Sequence, residues 1–304
     1  MGAGHGHGQG AAAGHVGGRY RRRLAMTFVL VFGFMVVELV YGILTNSLAL
    51  ISDAGHMSAD AVALGAALLA TKIATRPDTT GRRTYGSYRA EIFASGFTVL
   101  IMLGVATYVV VEAISRIGEP VEVQTTPMLV VGALGLVINV ISMYLLRQGA
   151  SESLNVKGAY FEVIADTAGS VGVVVAALLV GWTNQPVWDT VVALAIGVFV
   201  AVRAVVLGRQ VLAVLGQHVP EGVVLDQVVA DLEEIPGVQD VHDIHIWTLT
   251  SGMNVATAHL VVGDGDAQEA LTRAQQVLSQ TYKIQHATLQ TESSPTKQCD
   301  EVTW

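Results

Sequence analysis

The chain holds 304 residues, 52% of them hydrophobic and only 14% charged, with a formal net charge of −8. So apolar a composition excludes an ordinary soluble domain, in which about a quarter of residues are charged, and identifies a membrane protein. The lone cysteine, Cys299, excludes an intrachain disulfide and suits a reducing, cytosolic setting for the C-terminal part; no nucleic-acid partner is expected.

Residues 1–23 form an N-terminal arm, rich in Gly and Ala to residue 18 and carrying His5, His7 and His15. It is too poor in large apolar residues to fold alone and is predicted to be disordered and cytoplasmic. Its histidines read either as a loose metal-collecting device or as a tail without a role. The apolar run after the arginines is of spanning length and shows no small-residue cleavage site, so no cleavable signal peptide is expected.

Six apolar runs follow, near residues 24–45, 48–71, 91–115, 127–146, 158–181 and 187–207. Each has about the 20 residues that cross a bilayer as helix, which predicts a six-helix transmembrane domain over 24–209. Arg19, Arg21, Arg22, Arg23, Lys72, Arg76, Arg82, Arg83, Arg89, Arg147, Lys157, Arg203 and Arg209 gather on one side, and Arg116 stands alone on the other. By the bias of basic residues toward the cytoplasm, both termini are expected there.

The polar residues within these runs carry the chemistry. Glu38 in the first is either a relay for protons or metal or a hydrogen-bonded structural group. The second holds Asp53, His56 and Asp60; Asp53 shares the face of the other two and reads as a supporting or entrance group, or as an interfacial polar residue. Asn139 in the fourth is a candidate for helix-packing contacts, and Gly169 and Gly172 in the fifth permit close helix approach. The sixth opens at Trp188 and Asp189, a pair suited to the membrane interface.

From residue 210 onward there are 3 Lys and Arg against 13 Asp and Glu, a balance of −10, whereas the first 209 residues balance at +2. A soluble acidic α+β domain is therefore expected over 210–292, with a short tail over 293–304. Apolar positions at helical period predict a helix over 222–234, and alternation predicts strands at 238–247 and 254–262 joined by a turn at Gly252. A helix at 267–280 and a strand at 287–291 complete the order helix, strand, strand, helix, strand. A sheet of this size with helices on one face is marginal alone, so a homodimer is expected.

Two pairs organise this pattern: His56 with Asp60, and Glu162 with Asp166. Each has i, i+4 spacing, so on a helix both side chains leave one face a turn apart. Ionisable groups at membrane depth persist when paired, protonated, facing water or bound to an ion. One imidazole nitrogen and three carboxylates from two helices suit a four-coordinate divalent metal. The plainer alternative is a polar network that locks the helices together.

Four stretches, residues 47–60 (SLALISDAGHMSAD), 85–91 (YGSYRAE), 155–172 (NVKGAYFEVIADTAGSVG) and 237–247 (GVQDVHDIHIW), resemble the cation diffusion facilitator family, particularly its cobalt-zinc-cadmium resistance branch. The resemblance covers nearly the whole chain after Gly18. It implies a homodimeric six-helix carrier of the cell (inner) membrane that exports divalent metal from the cytoplasm in exchange for protons. It maps the transport site onto the same His56, Asp60, Glu162 and Asp166. It also implies a ferredoxin-like, metallochaperone-like cytoplasmic domain that binds metal through His242, His259 and Glu292, with His245 and His286 as further candidates; the alternative is polar residues on a sheet surface.

Many zinc-selective members have His where Glu162 stands. The harder oxygen set leaves zinc first but admits cobalt, cadmium, manganese or iron. Zn2+ is thus expected as substrate and as ligand of the C-terminal domain, with no organic cofactor. The loops after the second and fourth helices offer Asp78 and no histidine, so no metal site is expected in either. Cys299, with no CxxC neighbour, is a weak addition.

Three buried negative charges in an empty site invite protonation, and a divalent cation displaces those protons. Reorientation of empty and loaded forms would turn that competition into antiport, with His56 a natural proton carrier. Two rivals stand beside this reading. One is an intramembrane metalloenzyme, for which no HExxH or GxSxG motif appears and only Asp53 offers a spare base. The other is a metal sensor anchored by its membrane part, which leaves the two intramembrane pairs unexplained.

Overall fold

Where no water reaches the backbone, a helix satisfies every N–H and C=O internally, and the apolar runs take that form in this computed structural model. The structure describes residues 10–74, 83–117, 121–148, 154–263 and 265–294, with side chains described in 25–62, 83–117, 121–148, 160–263 and 265–294. The long helices are α1 (Gly10–Thr45), α2 (Leu48–Ala74), α3 (Ala90–Ser115), α4 (Thr125–Leu146), α5 (Leu154–Thr183) and α6 (Val187–Leu215). Among the described residues, five stretches are long and apolar enough to cross a membrane: Ala25–Thr45, Ala90–Ser115, Thr125–Leu146, Tyr160–Thr183 and Val187–Leu215. α2 has 27 residues and carries Asp53, His56 and Asp60 within it.

The expectation of a wholly disordered arm over 1–23 needs correction. α1 begins at Gly10 and carries His15 within it. A helix already nucleated in the apolar segment extends at one hydrogen bond per residue, and Ala11–Ala13 are the best helix formers. His5 and His7 lie outside the described residues.

By packing, the chain forms one unit of Met1–Ala66 and Phe97–Leu207 and a second of Ala67–Gly96 and Gly208–Trp304. All six helices contribute to the first core, through Phe34, Met57, Met102, Val131, Ala176 and Val200 among others. Large apolar side chains such as Ile43, Leu100, Ile114, Val130 and Trp182 are exposed around it, a rim suited to lipid rather than water.

Asp189, at the start of α6, is fully buried and caps the start of α2. Its Oδ2 accepts from the N–H of Leu48 at 2.6 Å, and its Oδ1 accepts from the Ser47 hydroxyl at 2.6 Å and the Ala49 N–H at 3.2 Å. The Ser47 Oγ in turn accepts from the Leu50 N–H at 3.2 Å. First-turn N–H groups have no partner within a helix, and a buried helix start must find one elsewhere. Arg116 completes the clamp, 3.5 Å from Asp189 and donating to the Asn46 carbonyl at 3.0 Å. The turn that presents these groups rests on Asn46 at φ 58°.

In the second unit, α7 (Leu225–Glu233) precedes β1 (Val238–Thr250), β2 (Met253–Val262), α8 (Ala267–Gln280) and β3 (His286–Glu292). The order matches the predicted one, although α7 starts at Leu225 because Gly222 turns the chain at φ +85°. β1 and β2 form an antiparallel hairpin, and β3 joins β2 in parallel, a step that requires the crossover α8 supplies. Val228 and Leu232 of α7 and Ala270, Ala274 and Leu278 of α8 pack on Ala256, Ala258 and Leu260 of the sheet. Asp266 caps α8 by accepting from the N–H groups of Gln268 and Glu269.

β1 breaks the strict alternation read from its sequence. Val241 and Ile246 both face the core, although five positions apart they should face opposite sides. A bulge absorbs the difference: His242 pairs with His259 but His245 with Thr257, and Asp243 sits between them at φ 48°. Such a bulge re-aims neighbouring side chains. Here it keeps the aliphatic residues inward while leaving His242 beside His259.

Candidate metal centre

α2 sets His56 and Asp60 one turn apart, and α5 does the same for Glu162 and Asp166. The His56 Nδ1 lies 3.6 Å from an Asp60 oxygen and its Nε2 lies 3.8 Å from the Asp166 Oδ1. Ligand atoms of His56, Asp60 and Asp166 fall within 4.8 Å of one another. His56 and Asp166 are buried, while the side chains of Asp60 and Glu162 are 20% and 43% exposed. The cluster is therefore reached from its Glu162 end. The Asp166 Oδ1 is buried without a hydrogen-bond partner, which is what a ligand atom for an ion requires and what a purely locking network would avoid.

Arg203 was not foreseen. Its position near the end of the sixth apolar run makes it a boundary charge in the sequence, yet α6 continues to Leu215 and the side chain turns into the cluster. Its Nη2 donates to both Glu162 oxygens at 2.8 Å. Its Nη1 lies 3.3 Å from the His56 Nε2 and 3.5 Å from an Asp60 oxygen. The signal was the apolar sequence beyond it, Ala204–Leu207 and Val211–Leu215, which continues the helix past the arginine. Phe199, one turn earlier, packs its ring edge-on to His56 at 5.6 Å.

Behind the cluster, Asp53 and Glu38 are fully buried, and no N–H or hydroxyl donor reaches any of their four carboxyl oxygens. Full burial sets Asp53 away from an open entrance. A Cβ at Gly169 would overlap the Asp53 carboxylate, so this glycine is what lets α5 approach α2 closely enough for the two ligand pairs to converge. Asn139 donates to the Ser170 hydroxyl at 3.2 Å, joining α4 to α5 as its packing role requires.

A second group lies on the sheet face opposite α7 and α8, one residue from each strand. The His259 Nδ1 is 2.9 Å from one Glu292 oxygen, and the His242 Nε2 is 3.6 Å from the other. These three offer ligand atoms within 4.8 Å, and the His242 Nε2 is buried with no hydrogen-bond partner. Asp240 fixes the other nitrogen of His242 at 2.9 Å, the outer contact that orients a ligating imidazole.

His245 and His286 are not part of this trio. His245 pairs with Asp243 at 3.0 Å, because the bulge places it beyond the cluster. His286 is exposed and opposes Val255 at the far end of β3 from Glu292. Asp78, Cys299 and the loops expected to lack metal sites fall wholly or partly outside the described residues.

Two family models match the chain: the cation efflux transmembrane domain over residues 24–215 and the cation efflux protein cytoplasmic domain over residues 220–294. The metal cation efflux system protein CzcD of Cupriavidus metallidurans is 43% identical over 302 residues, covering 99% of this chain and 93% of that protein. A cadmium, cobalt and zinc/H(+)-K(+) antiporter of Bacillus subtilis is 33% identical, covering 93% and 87%. The zinc transporter ZitB of Escherichia coli is 36% identical, covering 90% and 88%. A solved structure of the metal-bound C-terminal domain of the CzcD transporter is 38% identical, with a TM-score of 0.22, and covers 23% of this chain and 99% of that one.

Proposed function

Because the chain belongs to the cation diffusion facilitator family, in its CzcD-like branch, and is a divalent metal cation efflux transporter, we propose that zinc is its first substrate, carried by His56, Asp60, Glu162 and Asp166. The observation that supports this most is the convergence of His56, Asp60 and Asp166, with the Asp166 Oδ1 buried and unpartnered, beside Glu162 at the open end. α2 is read as a sixth span, made tolerable in lipid because its carboxylates and imidazole face this interior site. With Lys and Arg concentrated in the connections at the Glu162 end, that end faces the cytoplasm, as do both termini. Residues 24–209 form the transport domain and 210–292 a ferredoxin-like cytoplasmic domain that pairs in a homodimer of the cell membrane.

Metal entering at Glu162 and Asp60 meets ligands that grow drier with depth, so each coordination bond strengthens as water is left behind. Binding requires carboxylates and imidazole free of protons, and metal loading therefore expels them. Closure toward the outside and reprotonation there would release the metal, which couples efflux to the proton gradient. The named relatives are transporters, in keeping with a non-enzymatic role. In proteoliposomes with an internal zinc dye, zinc entry is expected to follow an imposed pH gradient and to reverse with it, with cobalt and cadmium competing. Zinc movement indifferent to both gradient directions contradicts proton coupling.

The cytoplasmic trio fits a resident Zn2+ by its donor set and by the orphaned His242 nitrogen. That metal would tie the three strands together at one end of the sheet. His259→Ala is expected to lower the metal content of the purified full-length protein by one ion per chain and to reduce the thermal stability of the C-terminal domain. An unchanged metal content argues against this site.

A further inference from the structure

We propose that Arg203 is a tethered counter-cation of the transport site: its guanidinium holds Glu162 apart from the other ligands, and an incoming divalent metal must displace it to gain Glu162. The proposal rests on the reading of His56, Asp60, Glu162 and Asp166 as that site. The guanidinium touches three of the four groups, Glu162 at 2.8 Å, His56 at 3.3 Å and Asp60 at 3.5 Å. Glu162 is also the one member outside the convergent trio.

Arginine donates but cannot accept. In its contact with Arg203 the His56 Nε2 must therefore present its lone pair, the same pair a metal would use. One lone pair serves one partner, so metal and guanidinium exclude each other at His56, and their like charges oppose joint occupancy of the carboxylates. A long cationic side chain that only anchored its helix would reach outward to the interface; this one, 28% exposed, bends inward. The side chain stays charged throughout, so it neutralises part of the acidic site when metal leaves and refills the ligands' contacts. Affinity falls and release becomes easier, as export requires.

The test is zinc binding by calorimetry on the full-length protein in nanodiscs, in a His242→Ala background that removes the cytoplasmic trio. Arg203→Gln is expected to lower the zinc Kd roughly tenfold or more, since a bidentate charge-assisted contact no longer competes. Arg203→Lys, which keeps the charge but loses the two-pronged fork, should fall between native and Gln, and stands in if the Gln variant does not fold. The gain should shrink when Arg203→Gln is combined with Glu162→Gln, because the two side chains act as a pair. An unchanged or weakened affinity in a folded Arg203→Gln protein overturns the proposal while leaving the site reading intact. If Asp166→Asn in the same background leaves zinc binding untouched, the site reading itself fails and the proposal falls with it.

Discussion

Asp166→Asn is expected to abolish zinc transport while leaving the protein as stable as before or more so. Asp166 is 3% exposed, and its Oδ1, 3.8 Å from the His56 Nε2, lacks a hydrogen-bond partner. An ionised carboxylate buried without donors costs free energy, and a neutral amide of the same shape removes that cost. The same change removes one of the two deepest ligands. Losing an outer partner of a metal ligand already costs about 10–100-fold in affinity or activity, so loss of the ligand itself should exceed about a hundredfold in flux. Proteoliposome flux and thermal unfolding on the same preparation decide the matter. A variant that transports zinc normally removes Asp166 from the site, and one that unfolds markedly earlier gives it a structural role instead.

Asp189→Ala should do the opposite, striking stability first. It strands the hydroxyl of Ser47 and the first N–H groups of α2, and leaves Arg116, only 7% exposed, without its buried partner. Breaking a buried charge pair by removing one member costs about 3–5 kcal/mol. Asp189→Asn keeps an acceptor and should cost less. Thermal unfolding of both variants in nanodiscs would test the order native, Asn, Ala. An Ala variant as stable as native would mean the clamp contributes nothing to holding α2 against α6.

Both predictions turn on residues whose meaning in the sequence was uneven. His56, Asp60, Glu162 and Asp166 were legible because helical spacing is a local property, and because a charge inside an apolar run demands an explanation wherever it occurs. The helix and strand order of the C-terminal domain was legible for the same reason, since periods of 3.6 and 2 reflect which side of each element meets the core. The cap that Asp189 gives α2 was not legible, because a carboxylate at the first turn of a helix suits an interface and nothing local says that another helix start lies against it. His286 matches by pattern, and its place at the other end of β3 from Glu292 is not legible in the sequence.

Patterning along the chain thus determined that this is a membrane protein with two intramembrane ionisable pairs and an acidic α+β domain, since burial and spacing are written residue by residue. Only the tertiary structure decided which charges meet. Arg203 stands 41 residues from Glu162 and 147 from His56, and only the packing of α6 against α2 and α5 brings the three together. The bulge at Asp243 likewise sets His242, and not His245, beside His259 and Glu292. The physical reason is the same in both places: a charged or ligating side chain is defined by its neighbours across helices and strands, and those neighbours are distant in sequence.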